Sequence, residues 1–169
     1  MRKVYISAMA QGVSSERAWL DLVNHAAVEV TSEEAGYPIE SALEGKGPGW
    51  RAGNSGTQSV RLLFDKPYQL KHICLVFEDE ENTRTQEFVL RWSSSRDGFF
   101  REIVRQQWNF SPRGSVREIE NYVVELPDVS VLELTIVPDK SHGDARASMH
   151  SFRLAGRCQD TNKNREVTN

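Results

Sequence analysis

Cysteine is scarce, basic charge is not in surplus, and no stretch stays apolar for long. Only two cysteines occur in 169 residues, Cys74 and Cys158. That is too few for the disulfide framework of a small secreted scaffold, and too few to hold a metal by themselves. Cys74 lies inside the apolar run HICLVF and reads as a small core residue. Cys158 stands at the edge of a polar tail, and nothing in the sequence demands a bond between the two. With 21 lysines and arginines against 24 aspartates and glutamates, the formal net charge is -3, so the chain as a whole lacks the basic balance typical of nucleic-acid binders. No segment reaches the roughly 20 apolar residues of a membrane-crossing helix. The opening MRKVYISAMAQG starts basic, but its apolar stretch is short and interrupted, unlike a secretory leader. The expectation is a cytoplasmic location.

Catalytic signatures are missing as well. There is no Gly-x-Ser-x-Gly elbow and no His-Glu-x-x-His helix. Glu78, Asp79, Glu80 and Glu81 cluster on one loop, whereas glycosidase carboxylates face each other across a built cleft. A chain without enzymatic activity and without a required cofactor is expected.

What the sequence does contain is alternation. SSERAWLDLV predicts a helix with Ser14 or Ser15 as N-cap, and Ala18, Trp19, Leu22 and Val23 recur at helical spacing. From Ala27 onward the period changes to two. VEVTS reads as a strand over 28–32, and QSVRLLF puts Val60, Leu62 and Phe64 on one face. A turn at DKPYQ then leads into KHICLVF, with Ile73, Leu75 and Phe77 together. QEFVLRWS sets Phe88, Leu90 and Trp92 against Glu87, Val89 and Arg91, and Asp97-Gly98 supplies a left-handed reversal. FFREIVRQQWNF, NYVVELP, VSVLELTIVPD and SMHSFRLAG follow. Pro67, Pro112, Pro127 and Pro138 fall between strands, where a missing ladder donor costs nothing. About eight strands without interleaved helices imply two packed antiparallel sheets. The tail QDTNKNREVTN has little to bury and reads as disordered.

Within RQQWNFSP, period two groups Val104, Gln106, Trp108 and Phe110 on one face and Arg105, Gln107 and Asn109 on the other. The aromatics therefore read as a core pair, and the polar row as an outward surface able to receive a sugar or a peptide.

Four pieces, in order, resemble one family. YPIESALEG followed by GWRA, QSVRLLFDKPYQLKHICLVF, LRWSSSRDGFFREI and SMHSFRLAG are similar to segments of discoidin or coagulation-factor type C domains. The likeness spans roughly residues 26–156, and it implies an all-β, jelly-roll antiparallel sandwich of the galactose-binding-like kind. Three regions follow: an N-terminal extension with a short helix (1–25), the sandwich (26–156) and the tail (157–169).

The resemblance also implies sites. Members often hold calcium through an Asp-Gly turn, loop carbonyls and a glutamate near the closing strand. Here Glu44 stands in place of the aspartate and Ser151 in place of the glutamate, which leaves Glu44 as the calcium candidate. Sugar binding in this fold uses loops at one end of the sandwich, with an aromatic ring against the pyranose face and arginine, histidine or asparagine on its hydroxyls. Suitable residues are Trp50 and Arg51, Asn82 and Arg84, and His142, Asp144 and Arg146, with Arg105 or Asn109 nearby. Each has a plainer reading. Trp50 fits a core plug, and Asp144 with Arg146 fits a surface ion pair worth under about 1 kcal/mol. His142 is the more suggestive residue, since it has no apolar stripe to join. The reading that follows is a non-catalytic carbohydrate-binding module. Its alternatives are a protein adaptor, using the outward row and the N-terminal helix, and recognition of nucleic-acid ends through Arg101, Arg105, Arg113 and Arg117.

Overall fold

The computed structural model describes residues 18–159. Its elements in chain order are α1 (Leu22–His25), β1 (Ala26–Val30), α2 (Ile39–Glu44), β2 (Trp50–Arg51), β3 (Gln58–Glu78), β4 (Arg84–Ser93), β5 (Arg101–Phe110), β6 (Arg117–Val137), β7 (Ser148–Met149) and β8 (Ser151–Cys158). All strand pairing is antiparallel.

Two long strands organise the molecule. The first half of β3, Gln58–Leu63, pairs with β1 and with the second half of β6, which in turn pairs with β4 and so with β5. The second half of β3, from Tyr68, pairs with β8 and with the first half of β6. Between the halves the register slips at Leu63, Tyr68, Leu70 and His72, and there the sheet folds over itself into two layers. One core joins them: Val60, Leu62 and Phe64 from the first half of β3 share a buried cluster with Leu70, Ile73, Leu75 and Phe77 from the second.

This corrects the expected boundaries. DKPYQ is not a reversal but the bend inside one strand, and NYVVELP and VSVLELTIVPD are likewise one strand. Pro67 and Pro127 therefore lie within β3 and β6. Each falls in the stretch where the ladder is irregular, so neither removes a regular hydrogen bond. The strand total is still eight because SMHSFRLAG divides into β7 and β8 at His150, whose N–H donates to Val76 O at 2.8 Å, and because Trp50–Arg51 adds the short strand β2.

Two further expectations change. Ser14 and Ser15 lie outside the described residues, and Ala18–Asp21 is not helical, leaving one helical turn at Leu22–His25. Packing overrides the helical pattern here: Leu20 N–H donates to Leu154 O at 2.8 Å, and Leu22 is fully buried in the core. The stretch YPIESALEG carries helix α2, with Pro38 at the N-cap and left-handed Gly45 at its end. The reversal after β4 is present, but Gly98 is not left-handed. Serine side chains shape it instead. Ser93 Oγ–H donates to Ser95 O at 2.7 Å, and Gly98 N–H donates to Ser95 O at 3.2 Å.

The alternation of β5 matches the sequence reading. Phe110 is buried and Val104, Gln106 and Trp108 half-buried, while Arg105, Gln107 and Asn109 are exposed. Cys74 and Cys158 are both half-buried, and no disulfide joins them.

Candidate functional site

A cleft of about 580 Å³ opens at one end of the sandwich, lined by Tyr37, Arg51, Glu78–Asn82, Arg84, Ala145, Arg146 and Ser148. Four separate segments build it, and each is held by identifiable bonds.

β2 is only two residues long, yet its alternation decides what faces the cleft. Trp50 turns inward and is fully buried, its indole N–H donating to Ser32 O at 3.2 Å. Arg51 turns outward into the cleft. β7, its partner, repeats the split, with Met149 in the core and Ser148 on the cleft. The close approach of the two strands requires Gly49, whose φ is +82° and where a Cβ would lie 2.6 Å from Met149 O.

The segment before α2 supplies Tyr37. Arg51 lies over its ring, 4.3 Å from the centroid. Behind the cleft wall Glu34 Oε2 stands 3.6 Å from Arg51 and 3.9 Å from Arg146, holding two arginines from distant segments side by side.

The β3–β4 loop is tied together by Asp79. Its Oδ1 accepts from the N–H groups of Glu81 (2.9 Å) and Asn82 (3.0 Å), and its Oδ2 accepts from Arg84 Nε at 2.6 Å. Burial opposes the charged form of Asp79, but these donors together hold its pKa below the usual carboxylate value. Arg84 forms the floor. Its side chain is 3% exposed, its Nη1 donates to Gln86 (3.1 Å) and to Pro138 O (2.7 Å), and it packs over Phe110 at 4.5 Å.

Of the candidates read from the sequence, Arg84 and Arg146 therefore meet in one cleft, joined by Arg51 and Asn82. Trp50 lies beneath it in the core. His142 and Asp144 belong to the same β6–β7 connection as Arg146 but are exposed and do not line the cleft. His142 instead sits in a turn with φ +62°, its N–H donating to Asp139 O at 3.2 Å. Tyr37 had no sequence signal beyond its place before the Pro38 turn.

The outward row of β5 lies elsewhere and is occupied with its own neighbours. Glu87 accepts from Arg105 (2.8 Å), Gln107 (2.9 Å) and Lys140 (3.1 Å), while Asn109 accepts from Thr85 at 2.7 Å. Arg105 also reaches Glu102 at 2.9 Å. Donation from Gln107 and Lys140, with Arg105 adding to it against the effect of burial, holds the Glu87 pKa down at about 2. A lowered carboxylate pKa contributes stability above its ordinary value, and that stability is lost as pH falls from about 4.5 toward 2. Glu87→Gln should thus lower stability by about 1–2 kcal/mol at pH 7 and much less at pH 2.5, measured by urea unfolding at both pH values.

No family model matches the sequence, and neither does any curated protein. Solved structures match in fold. The module CBM32-3 of a family 31 glycoside hydrolase from Clostridium perfringens superposes with a TM-score of 0.63 at 18% identity, over 86% of this chain and 98% of its own. The family 32 carbohydrate-binding module of C. perfringens NanJ, solved with galactose, gives 0.56 at 15% identity, over 79% and 95%. That of AlyQ, solved with 4,5-unsaturated mannuronic acid, gives 0.59 at 16%, over 81% and 97%. The fold is a galactose-binding-like jelly roll. The jelly roll carries the cleft on the connections at one end of its strands, leaving the sheets themselves to support it.

Proposed function

We propose that the chain is a non-catalytic carbohydrate-binding module, and that the sugar sits in the cleft between Tyr37, Arg51, Asn82, Arg84 and Arg146. The observation that carries this reading is the convergence of those side chains, from four segments, on one polar concavity of saccharide size. The fold adds weight, since neighbours of the same architecture have been solved with galactose and with an unsaturated uronic acid bound. The chemistry of the lining is suited to hydroxyls. Guanidinium donors and carboxylate acceptors both line the opening, and a phenol ring offers apolar surface for C–H groups.

The cleft is preferred to the β5 row because the polar groups of that row are already paired with Glu87 and Thr85 of β4. Within the cleft Arg84 is structural, its Nε held by Asp79 and its Nη1 by Gln86 and Pro138 O. Arg51 and Arg146 are about half exposed and loosely held by Glu34, so they are the donors free to meet a ligand.

Affinities of micromolar to millimolar order are expected. Because Trp50 is buried and the cleft aromatic is Tyr37, calorimetry or amide chemical shifts will follow binding better than indole fluorescence. Arg146→Ala should weaken a sugar found by glycan array about tenfold or more while leaving the melting temperature nearly unchanged, since it gives up only a 3.9 Å ion pair and Arg51 still faces Glu34. Arg51→Ala should weaken it as much and melt slightly lower, because it also loses the contact over Tyr37. A blank glycan array, together with flat titrations against simple hexoses and disaccharides, would end the proposal.

A further inference from the structure

On β8, Phe152 and Leu154 enter the core, so Ser151 and Arg153 share the outer face. Beside that face lies the end of α2, the turn that the family resemblance marks for calcium. Arg153 already occupies it. Its Nη1 donates to Glu44 O at 2.5 Å. The guanidinium also lies so close to Gly45 that a Cβ there would meet Nη1 at 2.5 Å. On its other side the group lies over the Trp19 indole, 5.7 Å from the ring centroid.

Two neighbouring carbonyls are engaged too. Ser41 O accepts from the N–H groups of Gly45 and Lys46, and Lys46 O accepts from Ser41 Oγ. Calcium needs six to eight oxygens. Here the carbonyl of Glu44 points at a positive charge, and those of Ser41 and Lys46 already accept hydrogen bonds. Ser151 brings no carboxylate, and among the described residues no three His, Cys, Asp or Glu side chains converge. A divalent ion at Glu44 would sit against a guanidinium and be repelled by it. The residues present do not fit the metal.

We infer that Arg153 takes the structural role of a cation at this turn: its guanidinium clamps the end of α2 to the closing strand, and the sandwich stands without calcium. Arg153 is then a specific structural requirement of this chain, independent of what the cleft binds.

The test is thermal melting of the full chain in about 10 mM calcium and in excess EDTA. The two melting temperatures should agree within about 1 °C. A site with the affinity usual for extracellular modules would instead raise the calcium value by roughly 3–8 °C, and that rise would overturn the inference. Arg153→Met keeps the stem but loses the donors, and should melt roughly 3–10 °C lower in either buffer, with Arg153→Lys in between. An Arg153→Met protein as stable as the parent would equally overturn it. Should that variant fail to fold, the calcium and EDTA comparison on the parent chain still decides.

Discussion

Arg84→Ala should destabilise the fold by about 3–5 kcal/mol, a fall in melting temperature of roughly 8–15 °C, the largest effect expected of any cleft residue. Arg84 Nε and Asp79 Oδ2 are 2.6 Å apart, with side-chain exposures of 3% and 10%, so water contributes little to either charge. Removing the guanidinium leaves Asp79 charged and poorly solvated. It also strands the Gln86 amide oxygen and Pro138 O, which Arg84 Nη1 now satisfies. Most of the cost therefore comes from what is left behind. The double variant Asp79→Asn/Arg84→Met should accordingly be more stable than Arg84→Ala alone, because no uncompensated charge remains. Chemical unfolding of the three proteins checks this. A loss below about 1 kcal/mol for Arg84→Ala would mean that water reaches the pair and that the cleft floor is wet.

That a buried arginine anchors the floor was not legible in the sequence. EDEENTRT reads as a charged, solvated loop, and charge in a loop is ordinarily just that. What takes Arg84 inward is long-range: Pro138 O comes from the end of β6 and Phe110 from the end of β5. The outward row of β5 was legible for the opposite reason. Alternation is a local property, and Val104, Trp108 and Phe110 needed only a core on one side to sort themselves from Arg105, Gln107 and Asn109. Breaks in strands were read less well. DKPYQ has the composition of a turn, but composition cannot distinguish a chain that reverses from one that bends and continues. Tyr68 and Leu70, both buried, show why it continues: their side chains are needed in the core of the second layer. The pairing of Arg51 with Arg146 around Glu34 depends on residues far apart in sequence, so no spacing rule could have found it.

A second buried network should set the pH dependence of stability. Glu118 is fully buried between the layers; its Oε2 accepts from Gln86 Nε2 at 3.4 Å, and its Oε1 has no hydrogen-bond partner. Burial, then the neighbouring Glu120 carboxylate, raise its pKa to about 8, against the opposing pull of Gln86 and Arg84. Tyr122, which donates to Glu120 at 3.1 Å, is pushed upward by the same surroundings. The folded protein thus binds a proton that the unfolded chain has released above about pH 4.5. Stability must fall as pH rises from there to about 8, and level off beyond, where both states are ionised. The sign is opposite to that of Glu87, whose contribution disappears in acid. The expected loss is on the order of 2–4 kcal/mol between pH 5 and pH 9, since Glu118 and Glu120 share the titration. Glu118→Gln keeps the shape and the neutral charge, so it should match the parent near pH 5, exceed it at pH 9, and flatten the profile between. Urea unfolding across that range reads the difference directly. If the parent and Glu118→Gln profiles run parallel, Glu118 is ionised in the folded state and its charge is being met by Arg84 through Gln86.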